Sequence, residues 1–413
     1  MNKDYNLTDS KSFCMLPWVH LHATPRGKAA ACCISNSCST PDGMGDISKQ
    51  SIFSIMNSDT MVQLRKDMLS GVLNTECNRC YEHEKQNVSS ARQFMNKELQ
   101  MFYEESIENT NSDGTLKELN MRFFDIRFSN ICNFKCRTCG SGYSSQWEQE
   151  ELKSNSPNIT IYSKNDNSAM LNEVLSQVPN IRIAYFAGGE PLITEEHYVI
   201  LEEMIRSGVA KHVQLRYNTN ASNLRYKDRD LLSMWKHFSK GVNIDASIDH
   251  YGERAEYIRH GTVWSTVEEN IKQLRALPYV SFRMNTVLSV FNLLTINDFY
   301  EYLIKNDLYN AKDKGYLIYN MVSPEFLSCH LLPPEYKVKG RKSIIQTMAV
   351  LGRNNFSKWK ITLLKNALSW TTAYNTWDEQ KVEFKNEINR IDNLRNEDFR
   401  KTFPELAGLL DTE

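Results

Sequence analysis

The chain has 413 residues, enough for two or three domains of roughly 150 residues each. Its 49 Lys and Arg balance 50 Asp and Glu for a net charge of -1, which offers no electrostatic argument for a nucleic-acid or membrane partner. Apolar residues are 41% and aromatics 11%, so a substantial core can form, and disorder, collagen and coiled coil are excluded as the main state.

No run approaches ~18 consecutive apolar residues, so no transmembrane helix is expected. The stretch 1–13 is polar and lacks the apolar run of a secretory signal. The chain reads as cytoplasmic, where thiols stay reduced. Ten cysteines then need an explanation other than disulfides, and nine of them fall at or before position 139. That clustering points to metal ligation. Composition divides the chain into a cysteine-rich region 1–118, a region 119–330 of alternating strands and helices, and a helical region 331–413.

The first region opens with Cys14 and an alternating run, 19–23. Thr24-Pro25-Arg26-Gly27 is a turn signal, and 28–31 leads back to Cys32-Cys33. This predicts a β-hairpin with a cysteine at each outer end. Cys77-Asn78-Arg79-Cys80 follows a helical stretch as a compact two-ligand clip. Four cysteines so arranged suit an iron–sulfur cluster or a structural zinc. His20 and His22 alternate on the hairpin and read as packed or solvated, and Cys38 reads as an unliganded loop residue.

The middle region begins with a predicted strand at 122–128 and a cysteine loop, then a helix near 143–153 and an Asn/Ser-rich inserted loop at 154–167. Apolar residues at helical spacing fill 170–178. A strand at 181–187 runs into Gly188-Gly189-Glu190-Pro191. Thr194 is placed to cap the next helix, with Glu195 and Glu196 in its first turn and Gly208 past its end. Further strands are predicted at 213–217, 242–247, 282–288 and 316–321, with a capping box from Ser265 to Glu268 between the fourth and fifth strands of the region. Strands alternating with helices predict a parallel sheet, either a partial barrel or an open doubly wound sheet, with ligands at the C-terminal strand ends.

The loop after the first of these strands reads Cys132-Asn133-Phe134-Lys135-Cys136-Arg137-Thr138-Cys139, a C-x3-C-x2-C spacing. Three thiolates can hold three irons of a [4Fe-4S] cube and leave the fourth open to a chelating ligand. A zinc site or three unrelated buried cysteines is the plainer reading. The motif resembles that of the radical SAM superfamily. The later segments match in order: Gly188, Gly189 and Glu190 resemble the GGEP motif that holds the methionine amino group, and Tyr217-Asn218-Thr219-Asn220 resembles the segment near the ribose. Ser247-Ile248-Asp249 resembles a Ser-x-Asp segment of the same site, and Arg259 stands where relatives often carry an arginine able to reach a carboxylate. The resemblance implies a partial (β/α)6 barrel. It also implies S-adenosylmethionine (SAM) on the open iron, cleaved to a 5′-deoxyadenosyl radical that abstracts a hydrogen atom. Thr138 stands where relatives place an aromatic residue beside the adenine, so that contact falls to Phe134 or Tyr185.

The spacing Cys14-x12-Gly27-x4-Cys32 with a later CxxC resembles the auxiliary-cluster modules called SPASM and Twitch, here placed ahead of the core. The resemblance implies a second, auxiliary [4Fe-4S] cluster on Cys14, Cys32, Cys77 and Cys80, with Cys33 as the rival of Cys32. Cys33, Cys38 and Cys329 are left over, too few for another cluster. Proteins with such modules include peptide and protein modifiers, so a peptide or protein side chain is the expected substrate. A small polar metabolite such as a sugar or nucleotide is the alternative, and a non-catalytic zinc scaffold is a further one. An electron donor such as flavodoxin or ferredoxin is the expected partner. In the last region Trp359, Trp370 and Trp377 read as core or as a helical cover, and Cys329 and His330 would be a hydrogen donor or acid/base if they reached the mouth of the site.

Overall fold

The computed structural model describes residues 7–40, 42–153, 161, 163, 166–311 and 315–411. The predicted inserted loop at 154–167 falls largely outside the described residues. The chain divides into two compact units, the first comprising Met1–Cys132, Glu151–Arg216 and Lys227–Val242, the second Asn133–Glu150, Tyr217–Tyr226 and Asn243–Glu413. Cys132 therefore closes a segment of the first unit, while Cys136 and Cys139 belong to the second.

In the first unit, β1 (His20–Ala23) and β2 (Lys28–Ala30) form the antiparallel hairpin predicted, closed by Gly27 N donating to Thr24 O at 2.9 Å. Gly27 has φ +82, and a Cβ there would stand 2.6 Å from Asp46 Oδ1, so the turn needs glycine. A short β3 (Gly45–Asp46) pairs with β2. The hairpin also joins the core sheet: β1 lies parallel to β4 (Phe123–Ile126), with His20 opposite Phe123 and His22 opposite Asp125. β4 in turn pairs parallel with β5 (Ile183–Phe186). All four residues of β1 and of β4 are buried, as expected of parallel strands covered on both faces. β6 (Gln214–Thr219) starts beside β5, where Gln214 N donates to Arg182 O.

In the second unit, β7 (Val242–Ser247), β8 (Val280–Leu288) and β9 (Gly315–Asn320) lie side by side, with β8 and β9 parallel. β7 and β8 alternate buried and half-buried residues. Asp245 and Arg283 occupy the half-buried face and pair at 2.5 Å. Ser247 shares that face of β7. Three long helices, Pro334–Arg353, Lys358–Thr371 and Trp377–Arg395, make up most of the last region, as predicted. The chain thus has the mixed α/β architecture with parallel strands expected from the sequence.

Several local expectations are corrected. The helix Trp264–Ala276 begins one residue before Ser265, so no capping box forms, and Glu268 instead binds Lys272 and the Tyr302 hydroxyl. Thr194 stands at the N-cap of Glu195–Arg206 but makes no side-chain cap; its hydroxyl donates to Pro191 O. Trp377 is buried while Trp359 is exposed, so the tryptophans do not form one core stripe. Cys329 is fully buried, and His330 stacks on Trp370 and bonds its carbonyl through Nε2 at 2.8 Å. These contacts pack the start of the last region. Among the described residues, no helix is long and apolar enough to cross a membrane.

Candidate functional site

The cysteine loop of the second unit is held from several sides. Lys135 N donates to His260 O, and Arg137 N donates to Ile258 O at 2.8 Å. The approach is close enough that a Cβ on Gly261 would stand 2.8 Å from Asn133 O. Asn133 accepts from the Asn220 side-chain amide at 2.9 Å and donates to Ser222 Oγ. Trp147 Nε1 donates to Cys136 O at 2.7 Å, and Ser144 Oγ to Phe134 O. The helix Ser145–Lys153 thereby fixes the backbone on both sides of Lys135.

Arg137 is buried, stacks over the Tyr257 ring and reaches Asp392 and Glu397 at 2.5 Å. Both carboxylates belong to the C-terminal region, so that region anchors the cysteine loop. Sequence reasoning missed this role; an arginine between two cysteines carries no signal of a partner more than two hundred positions away.

A cavity with about 210 Å³ of empty space in the second unit is lined by Phe134, Asn220, Ser247, Asp249, Arg259 and Trp264, among others. Five residues from the sequence segments singled out are thereby brought together. Asn218 is not among the lining residues; Asn220, two positions on, takes that place. Arg259 is not a surface arginine. Its side chain is 14% exposed, pairs with Asp249 at 2.8 Å, and points Nη1 at Cys136 Sγ from 3.9 Å. Asp249 also accepts from Val287 N, which locks it to β8. Burial pushes the Cys136 thiol up to about 12, with Arg259 acting the other way. A cation beside a buried thiol, next to an aromatic ring, amide, hydroxyl and carboxylate, suits a metal-bound thiolate bordering a nucleoside-sized ligand. Cys139 is exposed.

The Gly-Gly-Glu-Pro segment lies in the first unit, beside a cavity with about 300 Å³ of empty space lined by Ser129, Gly189, Glu190 and His197. Glu190 N donates to Ile131 O at 2.7 Å, next to Cys132. A Cβ on Gly189 would fall 2.1 Å from Ile131 O, so only glycine permits this approach. Gly188 has φ +127 and faces Arg127. The Glu190 side chain is buried and accepts from Leu192 N at 3.1 Å, which aims the carboxylate. Tyr185, the rival of Phe134 for an aromatic contact, stands on β5.

Cys14, Cys32, Cys77 and Cys80 all lie in the first unit. Burial drives the Cys14 thiol far above the ordinary range, and the neighbouring Cys77 and Cys80 push it the same way. Cys77 is pushed up to about 12 by burial and then by Cys80. Cys32 is raised by burial and by Cys33, Cys14 and Cys77. Cys33 looks elsewhere: after burial, it senses Asp125, Arg127 and Cys38. Cysteines that disfavour one another's ionised form in this way fit a cationic group that would neutralise them as thiolates. Among the described residues, no three His, Cys, Asp or Glu side chains already close to the spacing of a single ion.

A family model for the radical SAM superfamily matches residues 126–303, and one for SPASM, an iron–sulfur cluster-binding domain, matches residues 14–81. Among curated proteins there is no match. Solved structures similar to this chain include native anSMEcpe with bound AdoMet and Cp18Cys peptide, at 18% identity, TM-score 0.37, covering 55% of this chain and 60% of that one. Hexahistidine-tagged anSMEcpe with bound AdoMet is similar at 20% identity and TM-score 0.39, with the same coverage of 55% and 60%. Streptococcus suis SuiB bound to precursor peptide SuiA is similar at 13% identity and TM-score 0.35, covering 66% of this chain and 55% of that one. The chain thus spans 60% or less of the length of these structures. The radical SAM domain implies a [4Fe-4S] cluster and SAM, and the SPASM domain implies auxiliary iron–sulfur clusters. These two matches give the chain a radical SAM domain over residues 126–303 and, ahead of it, a SPASM domain over residues 14–81.

Proposed function

We propose that this enzyme abstracts a hydrogen atom from a peptide or protein side chain. In this reading Cys132, Cys136 and Cys139 hold the SAM-binding cluster, and Cys14, Cys32, Cys77 and Cys80 hold the auxiliary one. When bound, the first cluster and SAM supply a 5′-deoxyadenosyl radical; the protein binds, orients and shields. Glu190 accepts hydrogen bonds from the SAM ammonium, with Gly188 and Gly189 allowing close backbone approach. Phe134, Asn220 and Ser247 take the nucleoside, and Asn218 lies in the same segment near the ribose. Arg259, held by Asp249, stabilises the Cys136 thiolate. The observation that carries the reading is the cavity that gathers Phe134, Asn220, Ser247, Asp249 and Arg259 beside Cys136. The peptide half rests on the SPASM domain, since proteins with such modules include peptide and protein modifiers. A flavodoxin or ferredoxin is the proposed electron donor.

The test uses anaerobically reconstituted protein with SAM and a chemical reductant. Formation of 5′-deoxyadenosine is expected, and its absence from iron-replete protein would overturn the reading. A short precursor peptide encoded beside the gene, deuterated at its side chains, should pass deuterium into 5′-deoxyadenosine. Deuterium arriving instead from a sugar or nucleotide would replace the peptide by a small metabolite.

A further inference from the structure

In the second unit, β7 and β8 each have an apolar face and a polar face. Ile244, Ala246 and Met284 are buried on the first. Asn243, Asp245 and Ser247 of β7 and Arg283 and Asn285 of β8 stand half-buried on the other. Parallel strands covered on both faces read as apolar runs, so a polar face marks a surface kept for something other than packing. The contacts rise together along both strands, Asp245 with Arg283 and Asp249 with Val287, so β7 and β8 run parallel. Ile248 N donates to Asn285 O at 3.0 Å. In a parallel ladder that bond sets Ser247 beside Asn285 and Asp245 beside Arg283. Ser247 also lines the cavity shared by Phe134, Asn220 and Arg259, so the polar face continues from that cavity.

Two groups on this face have hydrogen-bonding capacity left. Arg283 binds Asp245 through Nε at 2.5 Å and Nη2 at 2.7 Å, a two-point pair that leaves Nη1 outside it. The Arg283 side chain is 37% exposed and that of Asp245 15%. The pair is neutral as a whole, so this guanidinium suits a neutral acceptor better than a second carboxylate. Asn285 Oδ1 is buried and has no hydrogen-bond partner among the described residues. A buried acceptor left unbonded is costly, and a ligand that brings an N–H or O–H removes the cost. The same oxygen disfavours an anion. Arg283 and Asn285 stand two residues apart on one face, about 6.6 Å along the strand. The carbonyl and N–H groups on one edge of an extended peptide recur at that interval.

We propose that Arg283 and Asn285 bind the main chain of an extended peptide substrate. Arg283 Nη1 donates to a peptide carbonyl, and Asn285 Oδ1 accepts from a peptide N–H. Asp245 is a positioning residue that holds the guanidinium and cancels its charge. Because Ser247 lies beside Asn285, a peptide on this face borders the cavity assigned to the nucleoside. The assignment rests on the peptide reading above and deepens it, since main-chain amides are recognised whatever side chains the peptide carries.

The test uses anaerobically reconstituted full-length protein and the blocked tripeptide acetyl-Ala-Ala-Ala-methylamide, with binding followed by saturation-transfer NMR. Analogues of the tripeptide replace one N–H at a time by an ester oxygen. One ester position should weaken binding about tenfold, the loss of one hydrogen bond. In Asn285→Leu that ester penalty should vanish, which a purely structural role would not produce, and Asn285→Asp, which keeps the acceptor, should restore it. Arg283→Lys keeps a cation beside Asp245 and should weaken the tripeptide about tenfold. Equal binding of the amide and every ester by the unmodified protein would overturn the proposal, whether or not the variants fold. A penalty that persists in Asn285→Leu would remove Asn285 from the site, and full affinity in Arg283→Lys would remove Arg283. Glucose or uridine bound in place of the tripeptide would overturn the peptide assignment. Deuterium transfer from a peptide to 5′-deoxyadenosine without any ester penalty would sink this proposal and leave the peptide reading standing.

Discussion

Arg137 and Glu397, 260 positions apart, meet at 2.5 Å and tie the cysteine loop to the C-terminal region. Asp392 shares the same guanidinium, and the Tyr257 ring lies 3.7 Å beneath it. The Arg137 side chain is 1% exposed and its carboxylate partners 14% and 17%. Arg137→Met would remove the cation shared by two largely buried carboxylates, leaving Asp392 the Tyr257 hydroxyl and Phe399 N and leaving Glu397 the His260 ring. A loss of about 3–5 kcal/mol is expected, measured by urea unfolding of the second unit's transition. Iron retention on the loop should fall with it.

Replacing Cys132, Cys136 and Cys139 together by Ala should abolish 5′-deoxyadenosine formation in reconstituted, reduced protein. The first unit's cysteines should keep about four irons per chain in that variant, without stoichiometric zinc, as Mössbauer and metal analysis would report. One tightly bound zinc and no iron would instead make the N-terminal region a structural module.

The same background separates the two adjacent cysteines. Cys32 faces Cys14 and Cys77, whereas Cys33 faces Asp125 and Arg127. Adding Cys32→Ala should remove the remaining iron, and adding Cys33→Ala should leave it. The reverse outcome would exchange the two residues.

Glu190→Gln keeps the shape of a buried side chain aimed by Leu192 N and removes its charge. A charge-assisted hydrogen bond contributes roughly 1.5–3 kcal/mol. SAM affinity measured anaerobically should fall by about one to two decades with little loss of iron. Unchanged affinity would remove Glu190 from the site.

Stability should fall on mild acidification. His250 Nδ1 accepts from Tyr251 N at 3.0 Å and Nε2 faces Thr295 Oγ1 at 3.1 Å, so a second proton would cost an existing hydrogen bond. Burial holds His250 at about 3, and Arg254 adds to it. Burial also lowers His197 to about 3 and His20 to about 4. With folded pKa values below the unfolded ~6.5, the unfolded chain binds more protons between about pH 4 and 6.5. The contribution is therefore complete above about pH 6.5 and is lost as pH falls toward 4. Urea midpoints should be lower at about pH 5 than at pH 7, and His250→Gln should flatten that difference.

The sequence by itself determined the strand–helix alternation, the hairpin, both cysteine sets and the Gly-Gly-Glu-Pro turn. Those features depend on local period, turn chemistry and short spacings, which neighbouring residues carry. It left Cys32 and Cys33 open because adjacent residues differ in direction rather than in spacing. Tertiary structure faces Cys32 toward Cys14 and Cys77, and it sets Asn220 in the cavity lining. It also set Arg259 against Asp249 and Cys136. The parallel pairing of β1 with β4 spans about a hundred residues of intervening chain, and no local pattern encodes such a partner. That one pairing sets His22 against Asp125. Burial and long-range pairing make these side chains chemically distinct, and both are properties of the folded chain.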